Sequence, residues 1–583
     1  MEQKEPEAQA YLDKKGTKFR RSRSTSIKRR NRPLNRFEME QEKASTSQSA
    51  KKLKTGQDID VTVCANFGYR ILNFATVFSA ISNVVKCKKC NGDVEFMESS
   101  IRGLGFKLVI SCNSCEPTSV DSSPLINNKA YDINKRIVFA FRLLGIGLRG
   151  IEKFCGIMDL PKMIYHSFYD TVIENICTAA ESVCNVSMEN AVKEEQKLTT
   201  EMGKGPGLTV SGDGTWRKRG FSSHYGVSTI IGHYSGKVID LIIKSSYCKA
   251  CEYWSKTLGT VEYELWKENH EEECSNNHEG SSGKMEVDSI IEMFSRSIQK
   301  YNVCYTNYIG DGDSKTYKAI VDANPYEEKV IKKECIGHVQ KRMGTRLRNV
   351  KKANKGLGGR GNLTDKLINE LTVYYGLAIR RSSHSKDEMK KAIWATFKHK
   401  ISTNEEPQHD YCPPGEDSWC SWQKSKAIGT LDEYQHKIPL PLIVQDAIRP
   451  IYEDLSSDEL LKRCEGGFTQ NSNESPNSVI WSMAPKTNSN GAEIVKIASY
   501  VAASTFNDGY KSILLIMNVL QLKIGDRCYG LCTEIDKQRC DTAEIRAQKS
   551  TKEARQARRS SQRQAQDAHT AAEGTLYGPG IAD

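Results

Sequence analysis

The sequence predicts a mixed α/β chain built on a five-stranded sheet, with a cysteine-rich module ahead of it and two insertions inside it. Three observations carry this. Residues 205–335 alternate in the order strand, strand, strand, helix, strand, helix, strand. Cysteine pairs at CxxC spacing recur before and within that region. A polar, helix-patterned stretch over 339–467 separates it from a last apolar part at 468–530.

The bulk numbers bound the function. A chain of 583 residues has room for three or four domains of about 150 residues. No apolar run reaches 18 residues, so no membrane helix is expected. The start, MEQKEPEAQAYLDKKG, lacks the apolar centre of a secretory signal. The nineteen cysteines are then expected as thiols and metal ligands, not disulfides. The net charge of +12 is local: residues 18–36 carry nine Lys/Arg and no acid, residues 341–360 eight and no acid, and residues 537–563 nine against three acids. The rest of the chain is therefore net acidic, and local basic tracts are what a polyanion selects.

In order, residues 1–60 are too polar to bury a core and read as a disordered basic tail. The cluster Arg20–Arg36 has the composition of a nuclear-import signal or a DNA-contacting arm, or of a merely solvated tail; nuclear localisation is expected. Residues 61–130 read as a zinc ribbon. Cys87-x2-Cys90 and Cys112-x2-Cys115 flank a segment of two short strands, and four thiolates close a tetrahedron around a structural zinc. Residues 131–204 read as three short helices, the last capped at Asp159 with Pro161 in its first turn. They form either an HTH-like DNA-binding region or a plain helical linker.

Residues 205–338 hold the sheet. LTVSGD is strand one and HYGVSTIIG and KVIDLIIKSSY are strands two and three. VDSIIEMFSRSIQKY is a helix with an apolar face at 287, 290, 291, 294 and 298. VCYTNYIGD and KVIKKECIG complete the set. This is the order of an RNase H-like fold, in which strands one and four are neighbours. A zinc insert at 245–282 carries Cys248, Cys251, Cys274 and His278 as a Cys₃His set, with His270 as the spare. The helical insertion, 339–467, opens on a basic helix whose face includes Lys341, Arg342, Thr345, Arg348, Asn349 and Lys352. Lys341, Arg342, Arg346, Arg348, Lys351 and Lys352 are the expected phosphate contacts, since a solvated helix face normally carries both signs of charge. Later, His409, Cys412 and Cys420 join with Cys464 as a possible third zinc set, or are singly buried residues. Two apolar helices follow within 468–530, and 531–583 is a basic tail.

Three carboxylates suggest the chemistry. Asp213 ends an apolar run and is followed by an expected Gly-Thr-Trp turn. Asp311 ends another run, with Asp313 two residues on, and Glu474 stands among small polar residues. Phosphodiester cleavage needs charge neutralisation and in-line geometry, which two Mg²⁺ (or Mn²⁺) ions about 4 Å apart supply. These hard cations take few, oxygen ligands. Asp213 would bridge both, with Glu474 and Asp311 completing one each; Asp311 is preferred over Asp313 because it directly ends the run. Singly, an Asp-Gly is most often a turn. An EF-hand fails because Thr316 occupies the glycine position of that loop.

The motifs DGTW at Asp213, GDGDSK at Asp311, CIGH from Cys335 to His338, and NESPNSVIW at Glu474 resemble the Mutator-like DDE transposases, specifically the insect-type elements with a zinc-rich catalytic domain. The resemblance covers about residues 65–530. It implies Asp213, Asp311 and Glu474 as the metal triad, and a role for His338 near the DNA or the scissile phosphate. It further implies cutting at terminal inverted repeats, joining of 3′ ends to target DNA, double-stranded DNA as partner, and a homodimer or higher oligomer on it. Pro476 after the glutamate either bends or starts a helix there; if it starts one, Glu474 sits at its first turn or cap instead of mid-helix. The alternative is a catalytically silent, domesticated transposase acting as a zinc-dependent DNA-binding protein.

Overall fold

The computed structural model describes residues 50, 53, 60–162, 165–217, 223–310, 314–359, 361–416, 418–470, 473–488 and 490–549. The basic N-terminal cluster and the last part of the C-terminal tail lie outside them. After a two-residue strand β1 (Val63–Cys64), Asn73 caps helix α1 (Phe74–Ser82) by accepting the Thr76 N–H. Then β2 (Val94–Arg102), β3 (Gly105–Cys112) and β4 (Cys115–Asp121) form an antiparallel ribbon. It has one strand more than expected, because the second CxxC is itself a hairpin turn that sets Cys112 opposite Cys115.

Short strands β5 (Leu125–Ile126) and β6 (Ala130–Tyr131) lead to α2 (Asp132–Leu143) and α3 (Leu148–Ile157). The expected third short helix is corrected. Asp159 is no cap: it sits in the connection with a left-handed φ of 52°. Helix α4 instead starts at His166 and runs 36 residues to Glu201. Its apolar and small residues recur at helical spacing without a break, and Val172, Ile176, Ala180, Cys184, Met188 and Ala191 are all buried.

The central sheet arranges its five strands, numbered in chain order, as fifth-fourth-first-second-third. Strands β7 (Leu208–Trp216), β8 (Tyr225–Gly232) and β9 (Val238–Ser245) form an antiparallel meander. Helices α5 (Lys249–Thr257) and α6 (Thr260–His270) make the insert that follows. Helix α7 (Ser282–Tyr301), capped by Ser281 and stopped by Asn302 in the left-handed region, recrosses the sheet. Strand β10 (Tyr305–Gly310) then runs parallel to β7. Helix α8 (Ser314–Ala323) returns the chain to β11 (Ile331–Glu334), parallel to β10. The order of elements is as expected. The buried face of α7 keeps the expected Ile290 and Phe294, with Val287 and Ile291 half-buried, but it is centred on Met285, Ser289, Met293 and Ser297 as well, and Ile298 is exposed. Small serines let the helix lie close on the sheet, which outweighs the larger apolar stripe. Two buried carboxylates pin the layers. Asp240 on β9 accepts from Arg296 and Lys300 of α7. Glu195 on α4 accepts the Tyr234 and Ser235 N–H groups at the β8–β9 turn.

The insertion is helical and has its own core. Helices α9 (Ile336–Ala353), α10 (Asp365–Arg381), α11 (Lys386–Ile401), α13 (Leu442–Leu455) and α14 (Asp458–Cys464) surround buried Met343, Leu371, Tyr375, Ile393 and Tyr452, and the short α12 (Ser421–Ala427) lies outside this core. Buried Glu334, at the end of β11, joins it to the sheet through Arg342 at 2.7 Å and Arg463 at 3.5 Å. The chain then closes the main core with α15 (Glu474–Met483), α16 (Ala492–Asp508) and α17 (Ser512–Val519). Strand β12 (Ile524–Gly525) pairs with β1, and α18 (Asp526–Lys549) ends the described chain.

Candidate active site at the end of the central sheet

The stretch SGDGTW is strand throughout, which corrects the expected turn after Asp213. The register runs on from Asp213 opposite Thr229 to Trp216 opposite Gly226. Alternate side chains of a strand face opposite ways, and here the two faces meet different helices. On one side a Cβ at Gly212 would lie 2.7 Å from Ile290 Cδ1, and one at Gly214 2.8 Å from Glu286 Oε2, both on α7. Glycine at these places admits the helix. On the other side Ser211 donates to Asn473 at 2.7 Å, Asp213 accepts from Asn477 at 2.8 Å, and Thr215 accepts from the Trp481 indole at 2.8 Å. Two residues of strand advance about 6.6 Å and four of helix about 6 Å, so the repeats stay in step over three contacts.

Helix α15 therefore lies along β7, and it begins at Glu474, one residue after the Asn473 cap. Pro476 falls in the first turn, where no intrahelical N–H is required. Ahead of it, Gln470 donates to the Gly212 carbonyl at 2.9 Å and the Ile309 carbonyl at 3.2 Å, bridging β7 and β10. Each of these amides is half used. Among the described residues, Gln470 Oε1, Asn473 Nδ2 and Asn477 Oδ1 are buried without a hydrogen-bond partner. Strand β10 pairs Ile309 with Ser211 and ends at Gly310. Asp311 and Asp313 lie outside the described residues, as does the Glu474 side chain.

Cys335 and His338 open helix α9 at the same sheet end. The Cys335 thiol accepts the Gln470 N–H at 3.4 Å. Burial pushes it up, but hydrogen bonds from the His338 ring and from the His338 and Gln470 N–H groups outweigh this and hold it below the usual thiol value. Nearby, the His233 ring packs edge-on against Phe468 at 4.8 Å, and burial holds it down to about 4.

The expected phosphate-binding helix is partly committed inside the protein. Arg342 pairs with Glu334, Arg346 with Asp454 and Lys351 with Asp365, and Arg348 bonds Asn369. The acids lie just outside the run, 8 and 14 positions from Arg342 and Lys351, or far from it, 108 positions from Arg346, so the acid-free run overstates the positive field. Lys341 and Lys352 stand exposed.

Two cysteine clusters have zinc-ligand geometry. Cys87, Cys90, Cys112 and Cys115 converge, with Sγ–Sγ distances of 3.9 Å (Cys87–Cys115) and 3.6 Å (Cys90–Cys112). Backbone N–H groups of Cys90 and Lys89 hold the Cys87 thiol down to about 6, toward the thiolate a metal needs. In the insert the set is Cys248, Cys251, His270 and Cys274, which corrects the expected ligand His278. His270 ends α6 with its ring stacked on Trp266 and its Nε2 3.3 Å from Cys248 Sγ. Past Cys274 the chain turns back to β9, where Asn277 bonds Ser245, and carries His278 to Asp288 at 3.3 Å and the Ser281 carbonyl. Cys464 is likewise corrected: it is buried in the helical core, away from Cys412 and Cys420.

Residues 68–420 match the family described as Mutator-like transposase. The chain belongs to the Mutator-like transposase family. A transposase family is one of enzymes that cut and join DNA, and DNA is thus the partner of its members. The family match takes in the ribbon, all five strands of the sheet and the start of the insertion, and stops before the Gln470–Trp481 segment that lines β7. No curated protein matches the chain. No helix among the described residues is long and apolar enough to cross a membrane. Sequence reading missed Gln470, Asn473 and Asn477. The usable signal was the four-residue step Asn473, Asn477, Trp481 set against the two-residue step Ser211, Asp213, Thr215.

Proposed function

We propose that this Mutator-like transposase works by DDE chemistry, with Asp213, Asp311 and Glu474 as its metal-holding carboxylates. It cuts double-stranded DNA at terminal inverted repeats and joins the 3′ ends to target DNA. The observation that carries this is the hydrogen bond from Asn477 to Asp213, because Asn477 lies one turn from Glu474 on a helix laid along the Asp213 strand. Two further points support it. The strand order of the five-stranded sheet supports an RNase H-like reading, and Asp311 follows Gly310 at the end of the strand paired with β7. The unpartnered Gln470 and Asn477 oxygens add hard donors beside the carboxylate, which suits Mg²⁺ or Mn²⁺ or its bound water. Such a cation, when bound, neutralises phosphate charge and activates the attacking oxygen.

The chain's own residues then divide the work. Asn477 holds the Asp213 carboxylate in one orientation, and Gln470 locks β7 to β10 so that the two strand ends keep their spacing. His338, in the first turn of α9, contacts the DNA near the scissile phosphate. Exposed Lys341 and Lys352 meet the phosphate backbone, with Arg348 reaching it from the same face. Zinc in the ribbon and insert is structural. The protein acts in the nucleus as a dimer or larger assembly on DNA, since two element ends must be joined.

The test uses purified full-length protein and DNA carrying the inverted repeats that flank its coding region. Cleavage that requires Mg²⁺ or Mn²⁺ is expected. Salt-dependent DNA binding with no metal-dependent product would reject the enzyme and leave the silent DNA-binding protein in its place.

A further inference from the structure

The helical insertion contains a metal-ligand set that is assembled from α11 and the irregular segment after it. His399, His409, Cys412 and Cys420 bring one ligand atom each to within 4.8 Å of one another. Three of the four, His409, Cys412 and Cys420, are almost fully buried. The atoms facing inward are the two Nδ1 nitrogens and the two sulfurs. Their separations are 3.3 Å between nitrogens, 3.9 and 3.8 Å from Cys412 Sγ to His399 and His409, and 3.5 and 3.4 Å from Cys420 Sγ to the same pair. A tetrahedron with Zn–N near 2.05 Å and Zn–S near 2.3 Å has edges of about 3.3 Å between nitrogens and about 3.6 Å between nitrogen and sulfur. The observed edges match those of a zinc polyhedron.

The geometry points to a third, structural zinc site in this protein, held by His399 Nδ1, His409 Nδ1, Cys412 Sγ and Cys420 Sγ. The surroundings are those a ligating histidine needs. With Nδ1 turned to the metal, His409 Nε2 faces Ser402 Oγ at 3.0 Å and His436 Nε2 at 2.9 Å, and His436 Nδ1 faces Asn404 Oδ1 at 2.7 Å. Trp422 stacks on the His409 ring and Trp419 meets the His399 ring edge-on, which limits access of water. The site has a structural purpose. Between the end of α11 at Ile401 and the start of α13 at Leu442 the only α-helix among the described residues is the seven-residue α12. Its described apolar cluster is Ala395, Cys412 and Cys420 with Trp422 against them, too small to hold the segment by burial alone. A metal closes it onto α11.

The test is zinc content per chain in purified full-length protein, with the two other clusters left intact. Cys412→Ser with Cys420→Ser is expected to lose one zinc relative to the unaltered chain while the ribbon and insert keep theirs. His399→Cys is expected to keep that zinc. On cobalt substitution it should show a third thiolate in the charge-transfer absorption of this site. His436→Ala and Cys464→Ala are expected to leave the zinc count unchanged. An unchanged count in the double serine variant would overturn the site, as would loss of the same zinc in Cys464→Ala. Because the readout is a difference of one ion at this cluster, it stands whether or not the protein cuts DNA.

Discussion

The zinc ribbon and the end of the central sheet are built in opposite ways. In the ribbon, Cys87 and Cys115 are only 28 positions apart, and a local antiparallel hairpin delivers the ligands. At the sheet end, Asp213 and Asn477 are 264 positions apart, and their meeting depends on the sheet, the helical insertion and the closing helices all being in place. Ribbon residues are mostly exposed, whereas the amides along β7 sit beside the main core. The ribbon should therefore owe its order to metal, and the sheet end to packing.

The largest effect expected from this contrast is on chelation. Structural zinc contributes on the order of 10 kcal/mol to a small domain. A strong chelator should abolish hydrogen-exchange protection over residues 94–121 while β7, β8 and β9 keep theirs. Ribbon amides that stay protected without metal would break the contrast.

Acid probes the other side. The folded protein holds His233 neutral down to about 4, while the ordinary value is 6.5, so protons favour the unfolded chain. Stability is unaffected above pH 6.5 and falls as the pH drops toward 4, by up to about 3 kcal/mol at roughly 1.4 kcal/mol per tenfold change in proton affinity. His233→Phe should flatten that part of the stability–pH curve measured by denaturant titration. An unchanged slope would remove His233 as its source.

Gly212→Ala tests how closely α7 lies on β7. The added methyl meets Ile290 and Tyr308, and overpacking of this kind costs about 1–3 kcal/mol, read as a lower denaturation midpoint. The smallest stability effect is expected at Asn477→Ala, about 1 kcal/mol for one hydrogen bond. Metal-dependent cleavage should nevertheless fall at least about tenfold, a larger change than that stability loss explains. Cleavage that tracks stability alone would make Asn477 a packing residue only.

These differences also decide what the sequence disclosed. The ribbon was legible because its ligand spacing is itself the structure. The strand order was legible too, since apolar runs and one amphipathic helix define it. Where local rules competed, they misled. Gly214 read as a turn former, yet it is a strand glycine that, with Gly212, lets α7 approach. His270 and His278 stand at the same spacing on either side of Cys274, and only the return of Asn277 to β9 separates them. The third helix was started too early by reading Asp159 as a cap, and the stripe that carries α4 on to Glu201 was not followed. The amides facing β7 were missed because their partners lie 262 and 264 positions away, so their four-residue step has meaning only once β7 is set beside it. His399 was missed although it stands only 10 positions before His409, because it belongs to helix α11 and not to the irregular segment that carries the other ligands.

The central claim is that Asp213 is a metal-holding carboxylate at the point of DNA cleavage, and Asp213→Asn tests it most directly. The change keeps the size of the side chain and its ability to meet Asn477. Binding to terminal-repeat DNA should be retained, while Mg²⁺- or Mn²⁺-dependent cleavage should fall by on the order of 10³-fold or more. A variant that binds and still cuts at the rate of the unaltered protein would contradict the account.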